Sequence, residues 1–260
     1  MATAIDTGEV RFCLQDEGTG IPLLLLHGFP ATRHLWSALI QPLAKAGFRV
    51  IAPDLIGYGE SEAPPGVRID MASQANWMWA LLEHLHLARI TLIAHDVGTA
   101  VAQLMAVSAP QRVRGVALLN GVFSDEWGMQ SISSIQAWNE TEARRLFPVL
   151  QRRLGKNVAL REMLSAYEGE KGGLRLIRAS RDLDPRQTVG MAERLRATGV
   201  PASLLWGESD EFLSIDAVGQ RLADSLSVPL VRLPGGHFTP LECPVEVADA
   251  LGRFLAVLGP

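Results

Sequence analysis

Cysteine and tyrosine are scarce in this chain, two of each among 260 residues. Cys13 and Cys243 lie near opposite ends, with no Cys-x-x-Cys pair and no Cys/His spacing suited to zinc. Neither a disulfide framework nor a metal site is therefore expected to organise the fold, and both thiols are expected to be buried and unpaired. The chain has no basic run and no interleaving of basic with aromatic residues; 24 Lys and Arg against 28 Asp and Glu leave a net charge of -4. That balance argues against a nucleic-acid partner. The longest aliphatic stretch, 23–26, is far too short to span a bilayer, and the N-terminal residues lack a charged-then-apolar leader pattern. The expectation is a cytoplasmic protein without a membrane partner, monomeric or homodimeric, needing no cofactor. There is no internal repeat and no low-complexity tract.

What is abundant is apolar residues, 48% of the chain, enough to bury one large core. Residues 10–15 alternate as a strand does, and 23–26 is a continuous aliphatic run typical of a strand covered on both faces. Helix-like patterns at 35–46, 71–87 and 99–108 are interleaved with short apolar runs at 49–52, 90–94 and 113–119. This repeated alternation predicts an α/β fold, a mostly parallel central sheet flanked by helices. From Gly121 the alternation stops. Helical patterns at 133–154, 158–167 and 174–181 follow without convincing strands, and alternation resumes with strand 202–205, helix 215–226, strand 230–233 and helix 245–258. The organisation expected is a core of residues 1–121 and 197–260 with a helical cap, 122–196, inserted between two strands.

The stretch 90–99 reads as a strand, a sharp turn and a helix, with Asp96 at the apex between the small residues Ala94 and Gly98. Such a turn pushes its apex side chain out above the sheet. Asp before a helical segment is also an ordinary N-cap, so other loops must decide. They carry distinctive residues at the strand ends: His27-Gly28-Phe29-Pro30, Asp54 to Ser61, Gly207 to Asp210, and Gly235-Gly236-His237. In a parallel sheet these ends cluster on one side. The order Asp96, Asp210, His237 is the nucleophile, acid, base order of one hydrolase fold. Asn120 or Asp125 stands as an alternative partner for the base, His27 and Asp54 read as loop stabilisers, and His95 reads as a structural residue pointing away from the site.

With those motifs in order over nearly the whole core, the chain resembles the α/β-hydrolase-fold enzymes that use an Asp nucleophile, the branch of epoxide hydrolases and haloalkane dehalogenases. The resemblance implies a helical cap after the sixth strand and a catalytic set of Asp96, Asp210 and His237, with the backbone N–H groups of Phe29 and Val97 stabilising an oxyanion or halide. A carboxylate is ionised at neutral pH and attacks a saturated carbon directly, forming an alkyl ester that a histidine-activated water then hydrolyses.

The leaving group is less determined. In this family an epoxide is opened by a cap Tyr, and Tyr167 is the single candidate, where a pair is common. Haloalkane dehalogenases usually carry Trp after the nucleophile and Asn after the first His-Gly; here those positions are Val97 and Phe29. Fluoroacetate-type enzymes place Arg after the nucleophile, which disfavours a small haloacid. Trp127, Trp138, Met129, Phe147, Met163 and Tyr167 are candidates for an apolar pocket, Trp127, Trp138 and Tyr167 foremost. The reading is a small, apolar, uncharged organic substrate, an epoxide ahead of an organohalide. An ester or lactone hydrolase and a non-catalytic ligand-binding scaffold remain the alternatives.

Overall fold

The structure, a computed structural model, describes residues 2–155, 158–168 and 172–259, with the side chains of Gln130 and Ser131 left aside. The strands are β1 (Ala2–Asp6), β2 (Arg11–Glu17), β3 (Ile21–Leu26), β4 (Phe48–Pro53), β5 (Ile90–His95), β6 (Val113–Leu119), β7 (Ala202–Gly207) and β8 (Leu230–Leu233). They form one eight-stranded sheet in the order β1-β2-β4-β3-β5-β6-β7-β8. β1 and β2 run antiparallel to their neighbours; from β4 to β8 every pairing is parallel.

Alternate residues of the central strands face opposite layers. Leu24, Leu26, Leu92, Ala94, Val116, Leu118 and Leu204 point into one apolar cluster, while Leu23, Leu25, Ile93, Ala117, Leu119 and Leu205 point into the other. Helix α1 (Ser37–Lys45) covers the second face. Helices α2 (Met71–His84) and α3 (Gly98–Ser108) pack together over the first. Both faces of β3 to β7 are thus dry, which is why these strands read as unbroken aliphatic runs.

Between β6 and β7 the described elements are helical: α4 (Met129–Gln136), α5 (Glu140–Leu154), α6 (Val158–Leu164), α7 (Gly172–Arg181) and α8 (Met191–Ala197), with short 3-10 turns between them. The insertion follows the sixth strand. Asn139 divides the helical pattern at 133–154: its side chain accepts the Glu142 N–H at 3.0 Å while the Glu142 carboxylate accepts the Asn139 N–H at 2.9 Å, a capping box that starts α5 afresh. After β7 come α9 (Gln220–Leu226), α10 (Thr239–Glu242) and α11 (Pro244–Leu258), the last on the same face as α1. Among the described residues no helix is long and apolar enough to cross a membrane. Cys13 is half-buried and Cys243 buried, both as free thiols.

Candidate active site

Asp96 sits between β5 and α3 with φ at +53°, a left-handed conformation that a non-glycine residue adopts at a cost of about 1 kcal/mol or more. The elbow is held from three sides. The Thr99 hydroxyl donates to the Asp96 carbonyl at 2.6 Å and accepts the Val122 N–H at 3.1 Å, tying the turn to the segment after β6. Gly98 lies so close to the carbonyls of Leu26 and His27 that a Cβ there would overlap them. A Cβ on Gly28 would overlap the Asp96 carboxylate itself. The loop after β3 therefore approaches the nucleophile position with its backbone bare.

That approach lets the Phe29 N–H donate to Asp96 Oδ1 at 2.7 Å, and the Val97 N–H also bonds the carboxylate. The Phe29–Pro30 peptide bond is cis. The other oxygen, Oδ2, faces His237 Nε2 at 3.6 Å, a gap rather than a hydrogen bond. His237 Nδ1 lies 2.9 Å from Asp210 Oδ2. Asp210 is held in turn: Oδ1 accepts the Phe212 and Leu213 N–H groups at 2.8 and 2.9 Å, and Oδ2 accepts the Asn120 amide at 2.8 Å. Asn120 receives the Thr239 hydroxyl on its own oxygen at 2.9 Å. The residues offered by the sequence as rival partners for His237, Asp210 and Asn120, thus act in series; Asp125 takes no part in these contacts.

The electrostatics follow from burial and pairing. Burial pushes the Asp96 carboxyl above the usual carboxylate range, opposed by His237 and by the Val97 and Phe29 N–H groups. Burial alone would lower His237, but the hydrogen bond and charge of Asp210, with the charge of Asp96, outweigh it and leave the imidazole above its ordinary value. Asp210 is buried too, a raising influence, yet His237 and its N–H donors hold it below the carboxylate range.

Sequence reasoning placed His95 wrongly. It does not point away from the site: its Nε2 lies 2.7 Å from the His237 carbonyl, and the two rings meet edge to face at 4.8 Å. Because a carbonyl can only accept, Nε2 carries the proton, and Nδ1 is buried without a partner. Burial, reinforced by His237, lowers His95 to about 3, so it stays neutral. His27 and Asp54 hold their loops as expected. His27 Nε2 accepts the Leu55 N–H at 2.9 Å, and Asp54 accepts the Arg33 backbone and guanidinium and the Glu60 N–H. Cys13, Asp54 and Glu60 cluster closely enough to suggest a cation site, but Arg33 already bridges the two carboxylates.

A cavity of about 380 Å³ opens over Asp96 and His237. Phe29, Trp127, Ile135, Leu150, Phe212 and Phe238 form its apolar wall. Of the pocket residues expected from sequence, Trp127 and Trp138 line it. Tyr167 does not: its buried hydroxyl lies 3.4 Å from the Ala31 carbonyl, outside the lining, and its ring packs on Phe147 at 6.2 Å. Met163 is buried in the α1-side cluster instead. The Trp127 indole N–H donates to the Thr188 hydroxyl at 2.7 Å and to the Ser124 carbonyl at 3.2 Å. Trp138 has no such acceptor among the described residues.

The alpha/beta hydrolase fold family matches residues 21–244. The chain belongs to the α/β hydrolase fold family. Within it, Haloalkane dehalogenase 2 of Mycobacterium tuberculosis is 30% identical over 273 aligned positions, which cover 95% of this chain and 92% of that protein. Bifunctional epoxide hydrolase 2 of Sus scrofa is 41% identical over 115 residues, 44% of this α/β hydrolase and 21% of that protein. The chain also spans only 40% of the length of another haloalkane dehalogenase that it matches. In fold, the solved haloalkane dehalogenase DbeA from Bradyrhizobium elkani superposes with a TM-score of 0.83 at 24% identity, covering 99% of this chain and 98% of the other.

Proposed function

We propose that this α/β hydrolase cleaves a carbon–halogen bond at a saturated carbon of a small, mainly apolar substrate, through a covalent ester on Asp96. The observation that carries the reading is the division of labour between the two Asp96 oxygens: Oδ1 rests on the Phe29 N–H, while Oδ2 is open toward His237 Nε2 at 3.6 Å. Oδ2 attacks the carbon, the carbon–halogen electron pair leaves with the halide, and an alkyl ester remains. His237 then takes a proton from a water lying beside Nε2, and the water oxygen adds to the ester carbonyl. The negative charge develops on Oδ1, where the Phe29 N–H already points, with the Val97 N–H also bonded to the carboxyl group. Collapse expels the alcohol, which takes its proton from the imidazolium, and the regenerated Asp96 carboxyl loses the second water proton to solvent, restoring the carboxylate. Asp210 stabilises that imidazolium while it exists.

The halide outranks the epoxide on leaving-group chemistry. An epoxide oxygen needs a proton as it departs, and among the described residues lining the cavity there is no tyrosine. A halide needs only a dipole, and the Trp138 indole N–H is available to supply one. One relative that aligns over nearly the full chain is named for the same chemistry. The epoxide reading is favoured by the Sus scrofa relative and by the placement of Tyr58, whose ring packs on Phe29 at 6.4 Å with its hydroxyl only weakly held, 3.4 Å from the Ala179 carbonyl.

The test is the His237→Gln variant with a bromoalkane. The ester forms but is not hydrolysed: bromide is released in a single stoichiometric burst, the intact protein gains the alkyl mass, and steady turnover falls by about 10²- to 10⁴-fold. Peptide mapping places the added mass on Asp96. Steady bromide release by the wild type with no adduct in the variant overturns the ester route. Diol formation from an epoxide, with no bromide from any bromoalkane, replaces the halide by the epoxide.

A further inference from the structure

One permanent cation lines the cavity among the described residues, and the proposed chemistry gives it nothing to do. Arg153 lies in the last turn of α5, and Leu146, Val149 and Leu150 line the same cavity seven, four and three residues before it. That spacing is one helical stripe. Its first three positions are apolar, and Val149 is half exposed at 51% where the stripe meets solvent. A fourth apolar residue would continue the wall. A guanidinium stands there instead, with no hydrogen bond or ion pair to a described residue, whereas Arg144 on the same helix pairs with Glu140 at 2.7 Å. Arg153 also lines a side cavity of about 60 Å³ that shares His237, Phe212 and Phe238 with the main one. The carboxylate of Glu242, bound to the Gly236 N–H, lines that side cavity, so an anion is disfavoured there.

We propose that Arg153 anchors a carboxylate on the substrate, making the preferred substrates apolar acids. This assignment rests on the proposed reaction at Asp96. The acid group lies at the end of the substrate remote from the reacting carbon, because a carboxylate next to Asp96 would be repelled by it in a buried site. Small α-halo acids, whose two functional ends are adjacent, are excluded by the same repulsion. The apolar middle of the molecule lies along the Leu146 to Leu150 stripe and the facing aromatic wall. The unpaired guanidinium accounts for a requirement that an uncharged hydrocarbon chain would not impose.

Matched substrates separate this assignment from the reaction beneath it. Bromide release is measured for 11-bromoundecanoate and its methyl ester, and binding by calorimetry for undecanoate and methyl undecanoate, which do not react. The wild type favours 11-bromoundecanoate by about tenfold in kcat/KM, the size of one partly exposed charge-assisted contact, and the preference shrinks as salt is raised. In Arg153→Gln the acid-to-ester ratio falls toward one and undecanoate binding weakens by about tenfold. Arg153→Lys retains part of the preference and Arg153→Glu reverses it. Equal kcat/KM for acid and ester in the wild type, or undecanoate binding unchanged in Arg153→Gln, overturns the anchor. So does an equal loss for undecanoate and methyl undecanoate. If neither bromide compound is turned over while undecanoate binding still depends on Arg153, the anchor stands and the carbon–halogen reaction fails.

Discussion

Asn120 holds a left-handed backbone, φ +43°, at the end of β6, and from there it bridges Asp210, Thr239 and the Gly236 carbonyl. Each of the three belongs to a different part of the loop system behind His237. From sequence, Asn120 was legible only as a substitute for Asp210, because linear order says which residues reach one end of a sheet but not which of them touch. The same limit explains Tyr167, whose direction depends on the turn after α6, and His95, whose side chain crosses to the His237 backbone. Asn120→Leu removes a donor to an ionised carboxylate and leaves the Thr239 hydroxyl without its acceptor. The expected cost is about 1–3 kcal/mol of stability. Steady turnover falls about tenfold or more, because Asp210 no longer fixes the imidazole, while the single-turnover bromide burst keeps its rate. A burst slowed in proportion to turnover would mean that Asn120 only supports the fold.

At the scale of elements the alternation of apolar runs was read correctly for β3 to β8; β3 to β7 are dry on both faces, which leaves the strongest pattern a sequence can carry, and the half-buried β8 was readable from its place after the preceding helix. β1 was not read: its residues are mostly exposed, and only its pairing with β2 defines it. The division of the first long helical pattern after β6 at Asn139 was written in the capping box but hidden by the helical periodicity on both sides of it. The elbow was readable because its small residues are required by contact. Gly98 has ordinary backbone angles, so its importance is purely steric: the neighbouring atoms that a Cβ would strike are backbone carbonyls of β3 and the residue after it, which cannot rotate aside. Gly98→Ala should therefore lower stability by about 2 kcal/mol or more, a fall in Tm of roughly 5 °C for a domain of this size. Thermal unfolding followed by circular dichroism measures it. An unchanged Tm would mean that β3 and the elbow slide apart freely, which is incompatible with the Phe29 N–H holding Asp96.

For the molecule as a whole, acid acts on the fold and on the reaction through different histidines. His27 and His95 are fully buried, and burial lowers both below the ordinary histidine value. A histidine of lowered pKa takes up its proton in the unfolded chain first, so its contribution to stability is complete above about pH 6.5 and is lost as the pH falls below that value. His237 has the opposite sign: raised in the folded state, it favours the fold below about pH 6.5 and loses that contribution as the pH rises through its folded value. Below pH 6.5 it is protonated in both states and adds no slope. Asp96, raised by burial, has the opposite sign to His27 and His95: as the pH falls the folded carboxyl takes up its proton before the unfolded one, which offsets part of the loss. Urea unfolding between pH 6.5 and 5 should then show stability falling, with His95 alone supplying a slope approaching one proton, about 1.4 kcal/mol per pH unit, and His27 adding to it. His95→Gln removes one proton from that slope. Hydrolysis of the ester needs neutral His237, so turnover declines with its midpoint above the ordinary histidine value, while the protein is still fully folded. A fold that loosens at the same pH as activity falls, or a slope unaffected by His95→Gln, would show that the buried histidines are not held neutral as the geometry around β3 and β5 requires.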